Sequence, residues 1–343
     1  MSPLVQDYLS LIRKQFPIDT ESASRLPLDS VSPSTRVYSV KTSESPLIRE
    51  DLGECFLLDT PEAQKIASNP HLVGEELAEL CQATAHEFES MLLELGLIGD
   101  STGILHILRG SSGYMVNEAI PELPMINIRT EYSEDGYRAH SDDSRRIEVT
   151  YSDYHGQDFD TLIIPDTYAT GRSVETALTT FREYGHSPKT MIIYGFIAIP
   201  AIQRLHRLCQ QEKCRLITVA LCDITQLAAN NYDMTLFGPD EHLHTTKGEL
   251  NKLGSIVGEE TLQEMVENYI PGLDQPGDWS ERQTKLFNGF GIENGNIKGH
   301  LSKSIKLIEE LDKINRTQEW YNDQIKELVE NELKSLHETL EKY

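Results

Sequence analysis

The sequence predicts an α/β fold, a mainly parallel twisted sheet with helices on both faces, and three observations carry that expectation. Continuous Ile/Leu/Val runs of strand length recur at 104–108 (ILHIL), 125–128 (MINI), 161–165 (TLIIP), 191–199 (MIIYGFIAI) and 215–222 (RLITVALC). Because they do not alternate apolar with polar residues, they suit strands covered on both faces. Amphipathic helical patterns fall between them, at 114–120, 173–184 and 200–212, and strands alternating with helices build parallel sheets. The 343 residues, 38% of them hydrophobic, suffice for one large core with appendages.

Residues 1–60 join a short amphipathic helix, MSPLVQDYLSLIRKQF, to a Ser/Pro-rich stretch, DSVSPSTRVYSVKTSESPLIRED, that reads as an extended arm. From 62 to 97 the pattern is helical, with Leu77, Leu80, Ala83, Ala85, Phe88, Met91, Leu92 and Leu95 on a broad apolar stripe that should pack on the sheet. The α/β core then spans 100–225. Within it, 129–159 is crowded with charge and turn residues, long enough for a loop or hairpin over a site. Residues 268–295 are rich in Gly, Pro and Asn. Beyond them Ile305, Ile308, Leu311, Trp320, Ile325, Leu328, Leu336 and Leu340 recur at helical spacing, predicting a terminal helical pair for core or oligomer packing.

Acidic residues outnumber basic ones 55 to 31, for a formal net charge of -24. That opposes a general attraction to nucleic acid and makes any phosphate site local. Five cysteines without framework spacing point to reduced thiols in a cytoplasmic protein. The N-terminal stretch lacks the layout of a signal peptide. The longest apolar run, MIIYGFIAIPAI at 191–202, is too short for a bilayer and contains a proline, so no membrane span is expected. The sequon NRT at Asn315 reads as accidental. His206, Cys209 and Cys214 are metal-capable but lack a fourth ligand at zinc spacing. His242 and His244 read as a solvated loop that could also line a pocket.

The stretch richest in chemistry is DTLIIPDTYATGRSVETAL at 160–178. A buried strand ends at Ile164, a turn of small and hydroxyl residues follows, and a helix begins. In open α/β sheets ligands bind beyond the carboxyl ends of strands. A helix N-terminus offers unsatisfied N–H groups to a phosphate, and Gly171 lets the backbone approach closely. Asp166 would repel a phosphate but suits vicinal sugar hydroxyls or a magnesium ion beside it. The predicted ligand is a sugar phosphate. The same residues also read as an ordinary helix start capped by Ser173 or Thr170. Neither a GK[ST] loop nor G-x-G-x-x-G occurs in the chain, which excludes the Walker A and dinucleotide loops.

Ala169-Thr170-Gly171-x-Ser173 behind a strand and an acid resembles the PRPP-binding motif of type I phosphoribosyltransferases. With a proline beside the aspartate, it is most similar to that of uracil phosphoribosyltransferase. ILRGSSG at 107–113 is similar to the family's Ile-Leu-Arg-Ala-Gly stretch, which holds pyrophosphate. YIPGLDQPGDW at 269–279 is similar to its Pro-Gly-Leu-Gly-Asp-Ala-Gly-Asp segment, which carries the uracil site. ESPLI at 44–48 and ATAHEF at 83–88 extend the likeness weakly, while 1–40 and 296–343 have no counterpart. The resemblance implies a phosphoribosyltransferase domain over 61–295, with 240–295 as a hood over the base site. An N-terminal arm (1–60) and a C-terminal helical extension (296–343) flank it.

It also implies an enzyme that transfers ribose 5-phosphate from PRPP to a uracil-like or other nitrogen heterocycle and releases pyrophosphate. Mg2+ would be the cofactor, bound mainly through PRPP. On the matching positions Arg109, with the backbone of Gly110 and Ser111, would meet the pyrophosphate end, and Arg129 would supply positive charge from the neighbouring strand end. Asp166 and Thr167 would meet the ribose, and Ala169, Thr170, Gly171, Arg172 and Ser173 the 5′-phosphate. Tyr269, Ile270, Gly272, Asp274, Gln275 and Gly277 would hold the base. Arg109, Asp166 and Asp278 are the catalytic candidates, Asp278 assisting the magnesium-pyrophosphate end or the sugar, or else capping a helix near Ser280. Arg138, Arg145 and Arg146 lie in the stretch that would cover the substrate, where they can equally pair with acids.

Three departures bear on the acceptor. Pro165 precedes Asp166 instead of following it, Arg172 replaces a glycine, and Asp274-Gln275-Pro276 replaces Gly-Asp-Ala. A proline there removes a backbone N–H where uracil would be read, so another heterocycle or nucleophile fits as well. The family resemblance further implies a homodimer, with the arm at 30–60 exchanged between copies. A second reading keeps the fold without catalysis: a sensor of PRPP or a nucleotide that controls a partner through the C-terminal helices.

Overall fold

The structure, a computed structural model, describes residues 3–132, 146–154 and 158–343. The chain opens with α1 (Pro3–Gln15), β1 (Ala23–Leu26), β2 (Arg36–Val40), β3 (Glu54–Asp59), α2 (Pro61–Ser68) and α3 (Gly74–Glu94). The core follows as β4 (Thr102–Leu108), α4 (Val116–Ala119), β5 (Met125–Tyr132), β6 (Ile147–Ser152), β7 (Thr161–Pro165), α5 (Arg172–Glu183), β8 (Thr190–Ala198), α6 (Ile199–Glu212) and β9 (Arg215–Thr225). Two short helices, α7 (Glu241–Lys247) and α8 (Glu259–Met265), lead to α9 (Ile297–Asn315) and α10 (Asp323–Leu340).

The five apolar runs became β4, β5, β7, β8 and β9. The main sheet has the order β1-β2-β3-β9-β8-β7-β4-β5-β6, with β3, β9, β8, β7, β4 and β5 parallel and β1, β2 and β6 antiparallel at the edges. The fold is therefore α/β with a mostly parallel sheet. Burial on both faces explains the unbroken hydrophobicity. Along β8, Ile192, Tyr194 and Phe196 join the core under α3 and the terminal helices, while Met191, Ile193 and Ile197 join the core under α5 and α6.

Two segments differ from the sequence reading, and the terminal helices pack in the core as expected. The stretch 62–97 is two helices, because Pro70 disfavours the helical conformation at Asn69, which sits at φ -127°. The arm is not free: residues 36–40 are hydrogen-bonded between β1 and β3 within the same chain. The small polar residues that suggested an arm alternate in β2 with Val37, Tyr38 and Val40, all buried. The terminal helices are part of the main core, burying Leu301, Ile308, Leu311, Ile325 and Leu336. Trp320 is buried against Phe16 of α1, ring centroids 4.7 Å apart. Part of the 129–159 stretch is the antiparallel pair β5–β6; Arg138 and Arg145 lie outside the described residues.

The connections diverge at the middle of the sheet. From β4 the chain moves to β5 on one side, whereas β7 lies on the other and leads away to β8 and β9. Such a divergence leaves a crevice beyond the carboxyl ends of the two strands. Arg109 follows β4 and Asp166 follows β7, so both stand at its mouth.

Candidate functional site

Asp166 is fixed by its backbone. Its N–H donates to the Tyr194 carbonyl of β8 at 2.9 Å. Gly195 then makes room: at φ +140°, a Cβ there would lie 2.0 Å from the Asp166 carbonyl oxygen, so only glycine fits. The half-buried carboxylate accepts the Thr167 N–H at 2.8 Å and pairs with no Lys or Arg among the described residues. Burial pushes its pKa up to about 7, with the Thr167 bond opposing. The Thr167 hydroxyl meets the buried Tyr114 hydroxyl at 2.6 Å, and Tyr114 stacks on Trp279 at 4.3 Å.

Gly171 is the N-cap of α5, at φ 74°, and no side chain caps the helix. The reading of Ser173 or Thr170 as an ordinary cap therefore fails. The uncapped end borders a recess of about 170 Å³ lined by Thr167, Ala169, Thr170, Gly171, Arg172 and Ser173, with Tyr232 opposite. Arg204 of α6 braces it from behind, donating to the Thr170 carbonyl and to Glu175, both at 2.8 Å.

After β4 the Leu108–Arg109 peptide is cis. The Arg109 guanidinium pairs with Glu281 and, at 3.1 Å, with Glu293. Gly110 accepts the Trp279 indole N–H at 3.0 Å. The buried Ser111 hydroxyl is engaged by its own loop, donating to the Ile107 carbonyl and accepting the Ile107 N–H. Ser111 thus shapes the loop, and its side chain does not face the cleft. Arg129 points elsewhere too: it is held by Glu131 and the Asn288 carbonyl, while neighbouring Thr130 lines the cleft.

The segment expected to hold a base splits in two. Tyr269, Ile270, Gly272 and Gln275 are interior. The Tyr269 hydroxyl donates to the Leu273 carbonyl, Gly272 packs against Pro239 and Leu311, and the Gln275 amide donates to buried Asp223 at 3.0 Å. Burial is the reason they cannot touch a ligand in the cleft. Asp274, also buried, accepts the Met234 N–H at 2.8 Å, and burial raises its pKa well above the carboxylate range. Gly277 and Asp278 do reach the cleft, with Pro276, Trp279, Ser280 and Glu281. Asp278 makes no side-chain cap; its carboxylate pairs with Lys303 of α9 at 3.0 Å.

A cleft of about 520 Å³ joins these parts, lined by Arg109, Gly110, Asp166, Thr167, Ala169, Ser173, Gly277, Asp278 and Lys303. Beside it, a cavity of about 320 Å³ shares Tyr232, Gly277, Asp278 and Lys303, and adds Asp233, His242 and Asp274. His242 thus lines a pocket, as the sequence allowed; His244 is not among the residues lining this cavity. Sequence reasoning missed Lys303, Tyr232, Trp279, Glu281 and Arg204. None carries a local signal: Lys303 is one polar residue among many on an amphipathic helix, and its approach to the cleft is set by where α9 docks. Arg146 is exposed and pairs with Glu148 at 3.2 Å. Among the described residues no three His, Cys, Asp or Glu gather as a metal set, and no helix is long and apolar enough to cross a membrane.

No family model matches the chain, and no curated protein does. Among solved structures it is similar to the AQ2163 protein of Aquifex aeolicus, at 14% identity over 50% of this chain and 86% of that one, with a TM-score of 0.40. It is also similar to adenine phosphoribosyl transferase of Trypanosoma brucei in complex with AMP, pyrophosphate and ribose-5-phosphate, at 15% identity over 49% and 83%, TM-score 0.33. A third is orotate phosphoribosyltransferase of Mycobacterium tuberculosis H37Rv, at 16% identity over 64% and 96%, TM-score 0.26. The function therefore rests on the geometry of the site.

Proposed function

We propose that the chain is a PRPP-using phosphoribosyltransferase whose acceptor is a nitrogen heterocycle other than uracil, or a related nucleophile. One observation carries this reading: Asp166, a half-buried carboxylate without a cationic partner among the described residues, and the uncapped start of α5, through Ala169 and Ser173, open into the same cleft as Arg109 and Lys303. Vicinal ribose hydroxyls would donate to Asp166, and a 5′-phosphate would sit in the recess at Ala169–Ser173. The pyrophosphate end would lie toward Arg109 and Lys303. Binding there requires Arg109 to exchange Glu281 and Glu293 for phosphate oxygens, and its planar fork suits either partner.

The donor set fits magnesium carried in by its substrate. Mg2+ commonly takes one or two carboxylates and completes its shell with phosphate and water; Asp166 and Asp278 line the cleft, the third acid there, Glu281, pairs with Arg109, and among the described residues no three acids gather at one point. When bound, the ion would neutralise charge on the departing pyrophosphate. The chain's own residues would position the ribose, hold the phosphate ends and exclude water, and a dissociative, oxocarbenium-like step needs no general base. Because Tyr269, Ile270, Gly272 and Gln275 are interior, the acceptor would face Gly277, Trp279 and Tyr232. Calorimetric titration with PRPP and Mg2+ tests the reading: wild-type binding that Asp166→Asn weakens supports it, and failure to bind PRPP or any nucleoside monophosphate overturns it.

A second reading, a non-catalytic PRPP or nucleotide sensor, is favoured by Arg109 being held by two glutamates. Binding without pyrophosphate release across pyrimidines, purines and pyridines would decide for it.

A further inference from the structure

Cys209 and Cys214, at the end of α6, line a pocket that shares no residue with the cleft. Helix α6 ends with Lys213 in the left-handed region, at φ 57°. The Cys214 N–H returns to the Cys209 carbonyl at 2.9 Å and the Lys213 N–H to that of Gln210 at 3.4 Å. This pair of bonds is a Schellman motif, whose closure brings the side chains of its first and last residues into contact. In most proteins that contact joins two apolar side chains. Here those two positions are cysteines, and both line one small pocket with Arg182 and Glu212.

The pair that looked like two thirds of a zinc site therefore has another chemistry. His206 completes no set: among the described residues no metal-ligating group of three occurs. We propose that Cys209 and Cys214 form a redox-active dithiol that exchanges with low-molecular-weight disulfides, Cys214 attacking and Cys209 resolving.

The surroundings assign the two roles. Cys209 is 2% exposed, while Cys214 is partly open to solvent. The Cys214 thiol donates to the Arg215 carbonyl at 3.5 Å; the two thiols act on each other, lowering the Cys214 pKa below the ordinary thiol value and raising that of Cys209. Arg182, paired with Glu212 at 2.6 Å, favours the thiolate, and Glu212 opposes it. The remaining cysteines, Cys55, Cys81 and Cys222, are buried, and burial pushes all three thiols up. Thiolate character and access together decide which cysteine reacts. In the first step the Cys214 thiolate attacks one sulfur of RSSR, forming a mixed disulfide and releasing RS−. In the second, the Cys209 thiol gives up its proton and attacks the Cys214 sulfur, releasing the other RS−. The sum is one protein dithiol and one RSSR going to one protein disulfide and two RSH.

The test uses the folded full-length protein and glutathione disulfide, followed by intact mass and peptide mapping without reduction. The expected product is lighter by two hydrogens, with Cys209 joined to Cys214. Cys209→Ser should stop at a glutathione adduct on Cys214, and Cys214→Ser should react at least ten-fold more slowly at every cysteine. Retention of both thiols in the native protein, or an adduct on Cys55, Cys81 or Cys222 before Cys214, would overturn the proposal. Circular dichroism of both serine variants keeps misfolding from passing for loss of reactivity. Neither residue touches the cleft, so failure of the PRPP reading leaves this result unaffected.

Discussion

Arg282 offers a perturbation whose size follows from its contacts. The side chain is fully buried and pairs with no carboxylate among the described residues; it donates instead to four carbonyls, those of Ile66, Asn69, Leu72 and Pro276, at 3.0 to 3.4 Å. Ile66 cannot satisfy its carbonyl within α2, because the residue four places on is Pro70, which has no N–H. Arg282→Met keeps most of the apolar stem and removes every donor. Leaving a buried acceptor unpaired costs about 1–3 kcal/mol; Asn69 keeps the Leu72 N–H, so the other three carbonyls at the lower end cost about 3 kcal/mol. Relief from burying a cation, visible in a pKa pulled down to about 10 by desolvation, offsets part of this. The net expectation is a loss of about 2 kcal/mol. Urea unfolding followed by tryptophan fluorescence measures it, with Trp279 and Trp320 buried as reporters. Because Arg282 also ties Pro276 to the α2–α3 turn, the cleft wall at Gly277–Glu281 should loosen, weakening PRPP affinity. A variant within about 1 kcal/mol of the parent would refute the staple.

Gly195→Ala places a Cβ against the Asp166 carbonyl and strains a left-handed backbone, so a loss of about 2 kcal/mol or more and abolished sugar-phosphate binding are expected, read by thermal unfolding and calorimetry. The Asp166 pKa of about 7 means that a ligand donating hydroxyls to the carboxylate gains affinity as pH rises through 7. Below it affinity falls by up to about ten-fold per pH unit, and Asp166→Asn should flatten that profile. The same raised value acts oppositely on stability. The folded state binds the proton more tightly than the unfolded one, so the contribution is greatest below the unfolded pKa near 4 and is lost as pH rises toward 7; Asp223, raised to about 7 by burial, adds in the same direction. Glu281→Gln removes one of the two anions on Arg109, and several-fold tighter pyrophosphate binding by calorimetry is expected; unchanged affinity would show that the pair does not compete with the ligand.

The sequence by itself determined the parallel core. Strands buried on both faces must be apolar at every position, as in Leu162 to Ile164 and Met191 to Ile197, and that pattern is visible without neighbours. It also determined the recess at the start of α5, because a glycine in the left-handed region between a strand and a helix is a local matter: Asp166 and Gly171 stand where their own stretch put them. Only the tertiary structure decided which remote residues join them. Whether Gln275 reads a ligand or bonds Asp223 depends on burial, which the motif around it does not encode. Lys303 reaches Asp278 because α9 packs on the core through Leu301, Ile305 and Ile308. Ser111, Arg129 and Tyr269 are residue types suited to binding, yet each is consumed by a neighbour that lies close in space, and for Arg129 and Tyr269 partly far along the chain. Contacts between distant segments are fixed by packing, and a linear pattern holds the periodicity of each surface but not its partner.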